Sequence, residues 1–82
     1  MFTNKTGDGK NNLCGAQVQK LRKAQHWSQR QLADRLQLQG LDLDKNAIQR
    51  MEAGLRFVTD IELLALSKAF EVPLETLFLK DE

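Results

Sequence analysis

The side chains best suited to contacting another molecule form one short polar cluster. Lys45, Asn46, Gln49 and Arg50 all lie in the stretch KNAIQRMEA. Lys and Arg can donate to O6 and N7 of guanine, and Asn can pair with N6 and N7 of adenine. Helical spacing places all four side chains outside, because the apolar residues between them face the other way. A solvated helix face has the same composition, so the cluster alone leaves both interpretations open.

Catalytic chemistry lacks the groups it would need. Cys14 is the single cysteine and His26 the single histidine. They lie on one predicted helix, roughly 18 Å apart, which is too far for the imidazole to deprotonate the thiol. One cysteine forms no intramolecular disulfide, and the two residues provide too few ligands for a structural zinc. We therefore expect a protein that is not an enzyme and has no cofactor.

The spacing of Asp42, Asp44 and Asn46 matches the start of a calcium-binding loop. Such a loop requires Gly at its sixth position and a bidentate Glu at its twelfth. This chain has Ala47 and Ala53 there. The favoured interpretation is that the acidic residues cap a helix.

Length and composition indicate a small soluble domain. The chain has 82 residues, of which 41% are apolar and 28% charged, a balance typical of globular domains. No apolar run is long enough to cross a membrane and the N-terminus has no signal-peptide pattern, so we expect a cytoplasmic protein. A chain this short buries little surface, so self-association is expected to stabilise it.

Charge is distributed unevenly, although the net charge is only +1. Residues 20–56 carry eight basic and four acidic groups, whereas residues 57–82 carry two basic and six acidic groups. This distribution favours binding of a polyanion by the basic half and a different kind of contact by the acidic half.

Apolar spacing is helical from Leu13 onward, which predicts an all-α fold of five short helices. Residues 1–12 are mostly polar, so we interpret them as a flexible N-terminal tail and residues 13–82 as the folded domain. The expected core positions outside the fourth helix are Cys14, Val18, Leu21, Trp27, Leu32, Ala33, Leu36, Ala47, Ile48, Met51, Leu74, Leu77 and Phe78.

Capping residues predict where several helices begin. Ser28 and Gln31 form an S-x-x-Q capping box for the second helix, and Thr59 and Glu62 form the equivalent box for the fourth. Pro73 is suited to the first turn of a fifth helix.

The second and third helices form a helix-turn-helix layout. Asp44 is suited to the N-cap of the third helix and Gly54 to its C-terminal stop, and residues 37–43 are predicted to form a long turn before it. In this layout the N-terminal end of the second helix of the pair enters the DNA major groove. Gln29, at the start of the helix before the turn, is placed to contact a phosphate.

Three segments carry the signature of a known family: LRKAQHWSQRQLADRL, AIQRMEAG and ELLALSKAFEVPLETLF. The chain resembles the Cro/cI-like helix-turn-helix family of bacterial and phage regulators, also called the XRE family, from residue 13 to about residue 80. The resemblance implies a lambda-repressor-like fold of five helices and sequence-specific binding to double-stranded DNA. The recurring positions are Leu21, Arg22, Ser28, Gln29, Leu32, Ala33, Ile48, Glu52, Gly54, Leu63, Leu66, Leu77 and Phe78.

The resemblance also implies roles for individual residues. The side chains implied to read bases are Lys45, Asn46, Gln49 and Arg50. Gln29 is implied to touch a phosphate, and Arg56, in the loop after the third helix, is implied to touch the DNA backbone. Arg22 and Glu52 match a pair that bridges the first and third helices.

Two features differ from the usual family pattern. The turn QLQGLDLD is longer than in most members, and the loop after Gly54 is apolar where basic residues are frequent.

An alternative function is a protein-interaction module on the same fold, such as an antitoxin or anti-regulator whose long apolar loop binds a protein partner.

The fourth helix is apolar on more than one side. Its two stripes are Leu63, Leu66 and Phe70, and Ile61, Leu64 and Ala65. Such a helix is expected to be buried from two sides, and its second stripe exceeds what one small core can use. We therefore expect a homodimer formed through the C-terminal helices, with two recognition helices spaced for successive major grooves.

Overall fold

The computed structural model describes residues 6, 7 and 9–79. In this part of the chain, four α-helices precede one 3₁₀ helix and no strand is present. The helices are α1 (Gly15–Ala24), α2 (Gln29–Leu38), α3 (Lys45–Glu52), α4 (Asp60–Phe70) and the C-terminal 3₁₀ helix (Leu74–Phe78). The all-α fold is confirmed. The predicted fifth α-helix is instead a 3₁₀ helix, because only five residues separate Pro73 from the extended backbone at Leu79.

The predicted capping boxes of α2 and α4 are confirmed. The Ser28 hydroxyl accepts the N–H of Gln31, and the Gln31 side chain accepts the N–H of Ser28. Thr59 and Glu62 exchange the same two hydrogen bonds at the start of α4. Each box satisfies two N–H groups that have no partner within the helix, and so fixes where the helix begins.

All four α-helices end in the same way. A residue with positive φ follows each helix, and the next N–H bonds back across the last turn, as in a Schellman motif. After α3, for example, the N–H of Leu55 donates to the carbonyl of Arg50 at 2.9 Å, which confirms Gly54 as the stop. The residues with positive φ that follow the four helices are His26, Gly40, Gly54 and Glu71.

The core lies where α1, α2, α3 and α4 meet, and it is capped by Leu77 of the 3₁₀ helix. The side chains fully removed from solvent are Val18, Leu32, Leu36, Ile48, Met51, Leu66 and Leu77. Trp27 packs against this core, and its ring stacks on Phe70 with centroids 5.7 Å apart. The guanidinium of Arg35 covers the Trp27 ring at 4.9 Å, a favourable cation–π arrangement.

The connection between α2 and α3 occupies residues 39–44, because α2 continues to Leu38. The predicted turn therefore begins two residues later than expected. Leu41 and Leu43 pack against the core, whereas Leu38 is 80% exposed. These two leucines thus anchor the connection to the core.

The last two residues of the predicted tail, Asn11 and Asn12, pack against the domain. Asn11 and Asn12 are half-buried and hydrogen-bonded to residues at the end of α3 and in the following loop. Side-chain amides can replace water at main-chain carbonyls, which allows a polar segment to pack. Of the predicted tail, residues 1–5 and Asp8 lie outside the described residues, as do residues 80–82 of the predicted domain.

Apolar side chains near the C-terminus are less buried than expected. Ile61 is 72% and Leu64 47% exposed, so a single chain covers one stripe of α4 and leaves most of the second open. Leu74 and Phe78 are also exposed, because the short 3₁₀ helix inserts only Leu77 fully into the core.

Among the described residues, no helix is long and apolar enough to span a membrane.

Candidate nucleic-acid interface

The outer face of α3 presents the polar cluster. Asp44 accepts the N–H of Ala47 at 2.8 Å and starts the helix as its N-cap, which confirms the capping interpretation of this residue. Ala47, Ile48 and Met51 are buried, and they fix which side of α3 faces the core. The four exposed side chains on the opposite side are Lys45, Asn46, Gln49 and Arg50.

These four side chains are available to a ligand. Within the described part of the chain, none of them makes a side-chain hydrogen bond or an ion pair. Arg50 lies one helical turn beyond Asn46, so the two side chains project from the same face. The cluster therefore offers ammonium, guanidinium and amide donors on one side of α3, while the buried residues on the other side anchor the helix in the core.

An ion pair beneath this face joins α1 to the end of α3. Arg22 Nε donates to Glu52 Oε2 at 2.6 Å, and Arg22 Nη2 donates to Oε1 at 3.1 Å. Arg22 Nη1 also donates to the Trp27 carbonyl at 2.7 Å. The side chains of Arg22 and Glu52 are only 10% and 2% exposed. The bridge thus fixes α3 against α1 and against the turn that leads into α2.

Gln29 takes part in the same network. It is the first residue of α2, is half-buried, and its Nε2 donates to Glu52 Oε1 at 3.2 Å. The side chain predicted to touch a phosphate is therefore oriented by the carboxylate that also binds Arg22. Its main-chain N–H belongs to the first turn of α2, where helices leave N–H groups open to an anion.

Arg56, the other predicted backbone contact, is held by α4. Its Nη1 and Nη2 donate to Oε1 and Oε2 of Glu62, both at 2.8 Å. The hydrogen bond from Arg56 lowers the pKa of Glu62 and, reciprocally, raises the pKa of Arg56, in each case against an opposing effect of burial. Much of the Arg56 charge is therefore already neutralised, and the loop after α3 is tied to the start of α4.

The residues considered for catalysis are not brought together. Cys14 is the N-cap residue of α1 and is 1% exposed, and burial raises the pKa of its thiol to about 11. A thiol with that pKa stays protonated at neutral pH and is a poor nucleophile. His26 lies beyond the other end of α1 and is exposed. In the described ranges, no three His, Cys, Asp or Glu side chains are grouped closely enough to hold a metal ion.

No local pattern in the sequence predicts that Asn11 and Asn12 contact the end of α3 and the loop after it. Asn12 Nδ2 donates to the carbonyls of Met51 and Arg56, and Asn11 Nδ2 donates to that of Leu55. The partners are 39 to 44 residues away, beyond the reach of any local pattern. An Asn shortly before a helix is a capping signal, and it was the only sign available here.

Comparisons with known proteins agree with this architecture. The profile of a family described as helix-turn-helix matches residues 18–77. A solved structure, the restriction-modification controller protein C.AhdI from Aeromonas hydrophila, is similar with a TM-score of 0.69 and 30% sequence identity. That similarity covers 78% of this chain and 89% of C.AhdI. A search of curated proteins found no match. The chain therefore belongs to the helix-turn-helix family of the Cro/cI-like, or XRE, type.

Proposed function

We propose that this protein is a transcription regulator that binds specific DNA sequences with α3 in the major groove. The observation that carries the proposal is the cluster of four exposed side chains on α3, which have no intramolecular partner in the described residues. Direct reading of base edges requires exposed hydrogen-bond donors on a rigid helix, and α3 is made rigid by the packing of its other side in the core.

The side chains of the cluster are suited to different bases. Arg50 can donate two parallel hydrogen bonds to O6 and N7 of a guanine, and Asn46 can both donate to and accept from an adenine. Lys45 adds a single donor at the N-terminal end of α3, and Gln49 lies beside Arg50.

Gln29 and Arg56 are proposed to address the DNA backbone. At Gln29, the main-chain N–H and the positive end of the α2 dipole favour a phosphate oxygen. Arg56 Nε takes no part in the pair with Glu62, so it is the atom proposed to reach a phosphate. Since Glu62 already balances the charge of Arg56, we expect Arg56 to contribute less than one full charge to the salt dependence of binding.

A regulatory role is supported by family membership and by the likeness to a restriction-modification controller protein. The Cys14 thiol does not support a catalytic function, because it is buried and protonated. Binding without catalysis is the activity that the described side chains favour.

We further propose that the regulator acts as a homodimer. Exposed apolar side chains line α4 and the C-terminal segment, at Ile61, Leu64, Leu74, Phe78 and Leu79. Exposed apolar side chains in this number are typical of an interface, and a two-fold dimer would present two copies of α3 to successive major grooves.

Selection from a random pool of duplex DNA tests both proposals. We expect a two-fold-related motif to be recovered, with affinity that falls steeply as salt increases. Recovery of no motif would contradict sequence-specific binding. Sedimentation showing only monomer at high micromolar concentration, with and without the selected duplex, would contradict the dimer.

One observation favours the alternative of a protein-interaction module. Leu55 and Phe57, in the loop after α3, are 66% and 57% exposed. The longer connection before α3 does not add to this surface, since Leu41 and Leu43 pack inward. Tight binding to a co-encoded protein, together with no binding to any duplex, would establish this alternative instead.

A further inference from the structure

Asn12 connects three parts of the domain with one side chain. Its Oδ1 accepts the N–H of Gly15, the first residue of α1, at 2.8 Å. Its Nδ2 donates to the carbonyl of Met51 at 3.1 Å and to that of Arg56 at 2.7 Å. One amide group therefore links α1, the last turn of α3 and the loop after α3.

Asn11 continues the same contact along the loop. Its main-chain N–H donates to the carbonyl of Gly54 at 2.8 Å, and its Nδ2 donates to that of Leu55 at 2.9 Å. We call Asn11 and Asn12 the asparagine clasp. The clasp binds the carbonyls of Met51, Gly54, Leu55 and Arg56.

Close packing at Gly15 keeps the clasp in place. A Cβ at this position would overlap the carbonyl oxygen of Met51 and lie 2.8 Å from Asn12 Oδ1. Only glycine allows the start of α1 to approach the end of α3 this closely. The separation that the clasp spans is therefore fixed by main-chain packing.

The clasp and Glu62 hold the loop after α3 from two sides. Asn12 binds the main chain of Arg56, while Glu62 binds its guanidinium through two hydrogen bonds. Because the loop leaves directly from α3, its placement also sets where the C-terminal end of α3 lies relative to α1.

We propose that Asn11 and Asn12 are positioning residues for DNA binding, which fix the end of the recognition helix and the loop after it. This inference rests on the proposed function of α3. The clasp touches no base; it sets the orientation from which Arg50 and Arg56 reach the DNA. Loss of the clasp is expected to lower discrimination between DNA sequences more than it lowers general affinity.

The test compares Asn12→Ala, Asn11→Ala and Ser67→Ala in the full-length protein. Ser67→Ala is the matched control, because the Ser67 hydroxyl donates to the Val72 carbonyl at 2.6 Å and closes the end of α4. It thus removes a side-chain to main-chain hydrogen bond outside the clasp. Binding to the selected duplex and to a scrambled duplex is measured by fluorescence anisotropy, at a temperature where circular dichroism shows each protein folded.

We expect Asn12→Ala to lower the ratio of selected to scrambled affinity by roughly 3- to 10-fold, the effect of losing one or two hydrogen bonds. Asn11→Ala should lower it less, and Ser67→Ala should leave it unchanged. If Asn12→Ala does not fold, the Asn11→Ala result decides.

Three outcomes separate the inference from the function on which it rests. Unchanged ratios in the folded clasp variants would overturn the positioning role. An equal decrease in Ser67→Ala would also overturn it, because the effect would then follow stability alone. Failure of the wild-type protein to prefer any duplex would instead contradict the proposed function.

Discussion

Replacing Glu52 with Ala tests the ion pair that joins α1 to α3. The Arg22 side chain is 10% exposed, so the substitution leaves a nearly buried guanidinium whose remaining hydrogen bond, among the described residues, is to the Trp27 carbonyl. Breaking a buried pair by removing one partner costs about 3–5 kcal/mol. Gln29 also loses its acceptor, but it is half-buried and can bond to water instead.

A loss of this size is a large part of the stability of a small domain, which is typically about 5–15 kcal/mol. Each kcal/mol lowers the Tm of a domain of this size by about 4–8 °C, so even the lower bound predicts a decrease of about 12 °C. Urea denaturation followed by circular dichroism gives the free energy of unfolding, and thermal denaturation gives the Tm.

The double variant Arg22→Met with Glu52→Leu is the control. It removes both charges and fills the same space with apolar side chains, which is often neutral or stabilising at a buried pair. We expect it to be more stable than Glu52→Ala. A Glu52→Ala protein that melts like the wild type would contradict a stabilising role of the pair, as would a double variant that is as unstable as the single one.

Three further predictions concern stability and reactivity. His26 has a φ of 60° after α1, so His26→Gly should raise the free energy of unfolding by up to about 1 kcal/mol in urea denaturation; no gain would contradict strain there. The Cys14 thiol, with its pKa raised to about 11, should react with a disulfide reagent at neutral pH only after unfolding in urea; rapid modification of the folded protein would argue otherwise. The pKa of Glu62 is lowered below its ordinary 4.5, so its pair with Arg56 stabilises at neutral pH and is lost as the pH falls through the folded-state pKa. The stability difference between wild type and Glu62→Gln should therefore narrow in acid, and a difference independent of pH would count against the pair.

Local patterns in the sequence predicted the helix termini well. The capping boxes at Ser28 and Thr59 and the stop at Gly54 each depend on residues within one helical turn, so sequence neighbours suffice to identify them. The burial of Ile48 and Met51 followed from helical periodicity in the same way, and this burial in turn determines which face of α3 is exposed.

Contacts between distant segments could not be predicted from such patterns. Even the pair of Arg56 with Glu62, six residues apart, does not follow from helical spacing, because a loop separates the two residues and Glu62 already takes part in a capping box. The contact of Asn12 with Met51 depends on how α1 packs against α3, which in turn depends on the absence of a Cβ at Gly15. The exposure of Leu74 and Phe78 depends on a 3₁₀ geometry that apolar spacing does not distinguish from an α-helix.

The affinity of Arg50 variants for two duplexes tests most directly whether α3 reads base pairs, as we propose. Arg50→Ala is expected to cost roughly 1–3 kcal/mol on the selected duplex and much less on a scrambled one. Arg50→Lys keeps the charge but loses the two-point geometry, so it should retain binding to the scrambled duplex and still lose affinity for the selected one. If Arg50→Ala weakens binding to both duplexes by the same factor, Arg50 contributes only charge and α3 does not read the sequence as proposed.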